Sequence, residues 1–162
     1  MMILRFATCI GVLVLAFNPL LTDAKAPPEM KVLGRLIGEW DGTDQDRSVT
    51  FDVTTTWILN GQLVQQKQVF QDGAESLLQY GFDQQANNYF LNLHDSRGIH
   101  WMLRGDWDEQ TQSFTFKGRS GEQDVTVKST FRNQDVIDWT ITLLSATGDV
   151  TELRGTNQRV IK

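Results

Sequence analysis

Val49-Thr50-Phe51-Asp52-Val53-Thr54-Thr55-Thr56-Trp57 decides the fold of this 162-residue chain. Val49, Phe51, Val53, Thr55 and Trp57 alternate with Thr50, Asp52, Thr54 and Thr56. Side chains on an extended backbone point to opposite faces in turn, so this run has one buried and one wet face. Working outward, the same period recurs. Ile99, Trp101, Leu103 and Gly105 alternate with His100, Met102, Arg104 and Asp106. Phe114 and Phe116 do so with Thr115 and Lys117, and Val125, Val127, Ser129 and Phe131 with Thr126, Lys128, Thr130 and Arg132. Ile137, Trp139, Ile141 and Leu143 form the last clear set. One-sided burial of this kind belongs to antiparallel sheets.

Turn chemistry separates the runs. Asn60-Gly61 and Asp72-Gly73 are hairpin dipeptides, able to take the positive φ of tight turns. Polar, turn-rich stretches also fall at 83–88, 96–98, 108–112, 118–121, 133–134 and 147–149. Short strands joined by short turns imply sequential up-and-down pairing, with about nine or ten strands. An open sheet of that width leaves two unpaired edges, and closure removes them. The expectation is an all-β protein, a closed up-and-down antiparallel β-barrel. Before it, Met30, Leu33, Leu36 and Ile37 stand at helical spacing, which predicts a short N-terminal helix over Glu29–Leu36 ended by Gly38.

The first residues read differently. Arg5 precedes an apolar stretch from Phe6 to Phe17, then Asn18-Pro19, and Ala24-Lys25-Ala26 closes the segment. This is the layout of a cleavable secretory signal. Its apolar core is about a dozen residues, short of the roughly twenty that span a bilayer. The expected organisation is a signal peptide over 1–26 and one barrel domain over 27–162, exported to a periplasmic or extracellular space. Cys9 sits before most of the apolar run, the wrong side for lipidation, and leaves with the signal. The remaining chain has no thiol for disulfides, catalysis or metal binding.

The full chain carries a net charge of −5, and loss of Arg5, Asp23 and Lys25 makes the remainder slightly more acidic. With no basic cluster to offset it, nucleic acid and anionic membrane are excluded as main partners. No later segment is long and apolar enough to be a transmembrane helix.

Catalytic signatures are thin. His94 and Asp95 are adjacent, with His100 across a short turn, which suggests part of a metal site or a general base. A closed zinc site needs four ligands, and alternation turns Asp95 away from His94, so no metal is expected. Gly118-Arg119-Ser120-Gly121 lacks the spacing of a nucleophile elbow. Asp106, Asp108 and Glu109 read as a solvated turn before they read as an acid–base pair. An enzyme reading survives only as a hydrolase or isomerase using His94 with Asp95 or Asp106.

Several motifs fall in one order: Leu36-Ile37-Gly38-Glu39-Trp40-Asp41-Gly42, Leu59-Asn60-Gly61-Gln62-Leu63-Val64, Tyr80-Gly81-Phe82-Asp83, and Gly105-Asp106-Trp107-Asp108. Tyr89, His94-Asp95-Ser96, Phe114 and Gly118 fit between and after them. Gly38-Glu39-Trp40 resembles the Gly-x-Trp signature of lipocalins and the wider calycin superfamily. The whole order is similar to the bacterial lipocalin-like family called domain of unknown function 1579. That resemblance implies a barrel whose Trp40 closes one end beneath an arginine from near the last strand. Gly38, Trp40 and Arg154 make the expected closing set, with Arg159 the alternative. The family brings no activity or cofactor, and Phe82 stands where its tyrosine is usual. Some related ten-stranded barrels hold haem through a histidine near the C-terminus; none follows His100 here, so no cofactor is expected.

What remains is the aromatic set. Trp57, Tyr80, Trp101, Trp107 and Trp139 fall mostly on inward phases, and Gln62, Gln65, Gln66 and Gln68 crowd one strand. Inward aromatics make rigid walls, and an inward glutamine needs a partner. Trp57, Gln68, Tyr80, Trp101 and Trp139 are therefore the candidate lining for a small apolar or amphipathic ligand. A structural or interaction domain of the cell envelope is the other reading.

Overall fold

The computed structural model describes residues 26–161. The proposed signal peptide and its cleavage site thus lie almost wholly outside the described residues. Ten strands follow in chain order: β1 (Gly38–Asp44), β2 (Val49–Ile58), β3 (Leu63–Phe70), β4 (Glu75–Asp83), β5 (Asn88–Asp95), β6 (His100–Asp108), β7 (Ser113–Ser120), β8 (Gln123–Phe131), β9 (Val136–Leu144) and β10 (Val150–Arg159). Each pairs antiparallel with its neighbours, and β1 closes on β10 from Trp40↔Arg159 to Asp44↔Gly155. The expected closed barrel is the observed one.

The helix is shorter than its spacing implied. An α-helix, α1, covers only Met30–Leu33, and a 3-10 turn continues through Gly34–Leu36. No side chain caps its start. Gly34 lies against Trp57, where a Cβ would stand 3.3 Å from the ring. Met30, Leu33 and Leu36 all face the barrel, at 1, 0 and 5% exposure, because a three-residue spacing suits 3-10 winding. The helix thereby plugs one end of the barrel.

The hairpins divide by chemistry. Asp44, Asp83 and Asp108 end β1, β4 and β6, and one carboxylate oxygen of each accepts two backbone amides of the following turn. Ser48, Asn87 and Gln112, four residues on, take positive φ. Asp72-Gly73 differs from the two-residue turn expected. Only Gly73 has positive φ; its amide donates to Phe70 O, and Phe70 N–H donates to Ala74 O. This is a three-residue loop with a glycine bulge. The β5–β6 and β9–β10 loops repeat it at Gly98 and Gly148.

The inner face is apolar at the plugged end. Trp40, Leu91, Leu103, Phe114 and Phe116 are at most 2% exposed. The outer face carries Asp52, Lys67, Arg104, Lys117 and Asp138, the reverse of a lipid-facing barrel. No helix among the described residues is long and apolar enough to cross a membrane.

Candidate functional site

The floor is built first. Gly38 holds φ +134°, and a Cβ there would lie 2.5 Å from the Arg159 guanidinium. Only glycine fits both constraints. Two residues on, the Trp40 indole N–H donates to Leu36 O at 2.9 Å. Arg159 lies over the indole at 4.0 Å and donates to Ile37 O and Arg35 O at 2.7 and 3.0 Å. The guanidinium thus ties the plug, the first strand and the last strand together.

Arg154 does not belong to the closing set. It sits on the outer face and binds Asp46 and Glu152. β10 turns Leu153, Gly155 and Asn157 inward, so Arg159 shares their phase and Arg154 does not. Arg35, absent from the sequence reading, is a second bracket. Its guanidinium stacks over Phe131 at 4.2 Å and Trp107 at 5.4 Å. Its only sequence signal was a polar position beside Leu33 and Leu36.

Above the floor the lining changes. Gln68, Leu93, Trp139, Ile141 and Leu143 point inward yet remain half-buried. Inward residues are sealed toward the plug and partly exposed toward the opposite rim, so the barrel opens at that end, termed the cup. Trp101, at 8% exposure, and Trp139 face this end, while Tyr80, 7% exposed, lies deeper with its ring 6.0 Å from Phe116. Trp57 does not line the cup. It shares the inward phase of β2 but lies beyond the floor, 39% exposed, in a groove of about 350 Å³ with Ala26, Pro27, Met30 and Lys31. The plug occupies the space its phase alone assigned to it.

The cup wall is two-sided. On β2–β4 it is polar. Gln68 stands opposite Ser76 there, while Thr55, between Gly38 and Gln66 in register, sits at floor level. Thr55 Oγ1 is buried and has no hydrogen-bond partner among the described residues. Gln66 and Tyr80, 5 and 7% exposed, face inward on the same side. Burial alone pushes the Tyr80 phenol upward, favouring its neutral form. On β8 and β9 the wall is Val125, Val127 and Ile141. Inward glutamines were foreseen; Thr55 and Gln66 as the sealed ones were not, because strand phase does not report depth.

At the open rim, Ser76 Oγ–H donates to Asp95 at 2.7 Å, and Arg97 donates twice to the same carboxylate at 2.8 and 2.6 Å. Arg97 lies over Phe70 at 4.9 Å. Its guanidinium, aided by Ser76, holds the Asp95 carboxyl well below the usual carboxylate range.

The enzyme constellation is not assembled. His94 is exposed on the outer face, while Asp95 turns inward to Ser76 and Arg97. Asp106 is exposed on the outer face of β6, six residues beyond His100 along the strand. Among the described residues, no three or more His, Cys, Asp or Glu gather as a metal cage.

These features define a class: a closed ten-stranded antiparallel barrel with an arginine-locked floor and a two-sided cup. No protein-family model matches the chain, and no curated protein matches it. Solved structures do. One, described as EF1p2_mFAP2b bound to DFHBI, aligns over 81% of this chain and 98% of its own, at 12% identity and TM-score 0.41.

Proposed function

We propose that this is an exported barrel of the lipocalin-like family domain of unknown function 1579, residues 27–162 once its signal is removed, and that it binds one small amphipathic molecule in its cup. The observation that carries this is the buried Thr55 hydroxyl, without a hydrogen-bond partner among the described residues, at the base of the polar side where Gln66 and Tyr80 also face inward. A buried polar group left unpaired costs about 1–3 kcal/mol, so a ligand atom supplying the missing bond gains that much. The opposite wall offers only apolar contact. The ligand is therefore an apolar body with one hydrogen-bonding head. That head is uncharged, because the deep wall presents hydroxyl and amide groups and no ion to pair a charge.

Decanol and decanoate, titrated separately against the tryptophan fluorescence of Trp101 and Trp139, test it. Decanol saturates one site, decanoate binds more weakly, and Gln66→Leu weakens decanol about tenfold. Absence of saturation by either probe, or equal binding by Gln66→Leu, refutes the reading. Export is checked separately, by N-terminal sequencing of protein recovered outside the cytoplasm.

A further inference from the structure

The outer wall carries a histidine pair that the cup does not use. His94 in β5 and His100 in β6 are direct cross-strand partners. The Asp95 amide donates to Ile99 O at 2.9 Å across the turn, which makes Asp95–Ile99 the hydrogen-bonded pair. His94–His100 is consequently the adjacent non-hydrogen-bonded pair, where antiparallel strands bring side chains closest. The imidazoles stack at 4.4 Å with 14° between their planes. Both are exposed, and neither hydrogen-bonds to a described residue.

This spacing suits one ion shared between two rings. A metal bound at about 2.0–2.1 Å by each imidazole needs the two nitrogens roughly 3 Å apart. Small side-chain rotations bring stacked rings to that separation, and the backbone already holds them together. Leu77 is the register partner of His94 on β4; on this face Lys67 beyond it pairs with Glu75, Arg104 with Asp83 and Arg119 with Asp124, and Arg97 is engaged by Asp95 on the inward side. The next pair along the face is Asn92–Met102, with Met102 66% exposed. Imidazole accepts copper, nickel and zinc, affinity peaks at copper among the divalent ions, and a thioether is a donor copper accepts.

We propose that His94 and His100 form an open two-imidazole chelate for a late first-row divalent ion, copper(II) ahead of zinc. The remaining coordination positions face solvent, so the ion is exchangeable. Too few ligands excludes only a closed four-ligand cage; an open chelate needs register alone. The proposal is independent of the cup.

The test titrates copper(II) and zinc(II) chloride by calorimetry into the full chain, His94→Ala, His100→Ala and the double variant. All positions are exposed, and thermal melts confirm that the variants fold. Copper bound elsewhere persists in the double variant and is subtracted. The chelate predicts one copper per chain above that background and weaker zinc. Each single variant loses at least about tenfold in copper affinity, because the second imidazole binds intramolecularly. The double variant shows the background alone. Single variants that each keep half of the effect, or that match the parent, overturn the proposal. Zinc binding tighter than copper overturns the stated preference.

Discussion

At the residue scale, two arginines near the end of the chain show how much one position of strand phase decides. Arg159 stacks on Trp40 and donates to Ile37 O and Arg35 O; five residues earlier, Arg154 meets only surface carboxylates. Stacking together with charge-assisted bonds to two carbonyls makes Arg159→Ala cost about 2–3 kcal/mol in urea denaturation. Arg159→Lys recovers little, since an ammonium does not stack and bridge as a planar fork does. Arg154→Ala leaves the midpoint nearly unchanged; equal losses from both would contradict the assignment. Asp95 gives a pH-dependent counterpart. Arg97 and Ser76 lower its folded pKa below the unfolded value of about 3.9. The carboxylate therefore stabilises the fold fully above that pH, and the gain fades as pH falls toward the folded value. Asp95→Asn should lower the melting temperature at pH 7, with the gap to the parent closing below pH 4. A gap that stays constant down to pH 2 would rule this out.

Elements owe their register to loops that repeat. Gly73, Gly98 and Gly148 hold φ of 81°, 91° and 90°, and an added Cβ at each would meet nothing within 4 Å. Alanine there costs about 1 kcal/mol, all of it backbone strain. Gly155 is the opposite case. It sits inside β10, where a Cβ would run into the Thr43 carbonyl and the Trp139 ring. Gly155→Ala should cost clearly more than any of the three turn substitutions in chemical denaturation, and an equal loss would show that strand packing relaxes freely. The hairpin positions were legible because glycine and aspartate mark them. The turn type at Asp72-Gly73 was not, since the same dipeptide serves two-residue and three-residue loops. The helix was read too long because spacing alone does not distinguish α from 3-10 winding over two turns.

The whole molecule depends on closure between its first and last strands. β1 and β10 pair residues more than a hundred positions apart, from Trp40↔Arg159 to Asp44↔Gly155. Removing residues 150–162 strips Arg159 from the floor and leaves β1 and β9 as open edges. Such edges pair between molecules. The truncated chain should lose its cooperative melt by circular dichroism and run as aggregates on size exclusion. A monomeric truncation that still melts cooperatively would mean closure is dispensable.

Alternation and turn residues by themselves determined the all-β class, the up-and-down order and the closed barrel, while Trp40 as its floor was implied only by the resemblance of Gly38-Glu39-Trp40 to the lipocalin signature. The first three follow from period and turn chemistry, which are local. Depth is not local, and the tertiary structure alone decided it. Trp57 has the inward phase of Phe51 and Val53, yet the plug pushes it outside the floor. Thr55 has that phase too, and becomes a sealed hydroxyl at the floor, between Gly38 and Gln66. Which arginine closes the barrel, and that two histidines six residues apart stack face to face, likewise depended on register between strands. Period tells a side chain which face it takes; only the packed neighbours tell it how deep it lies and what it meets.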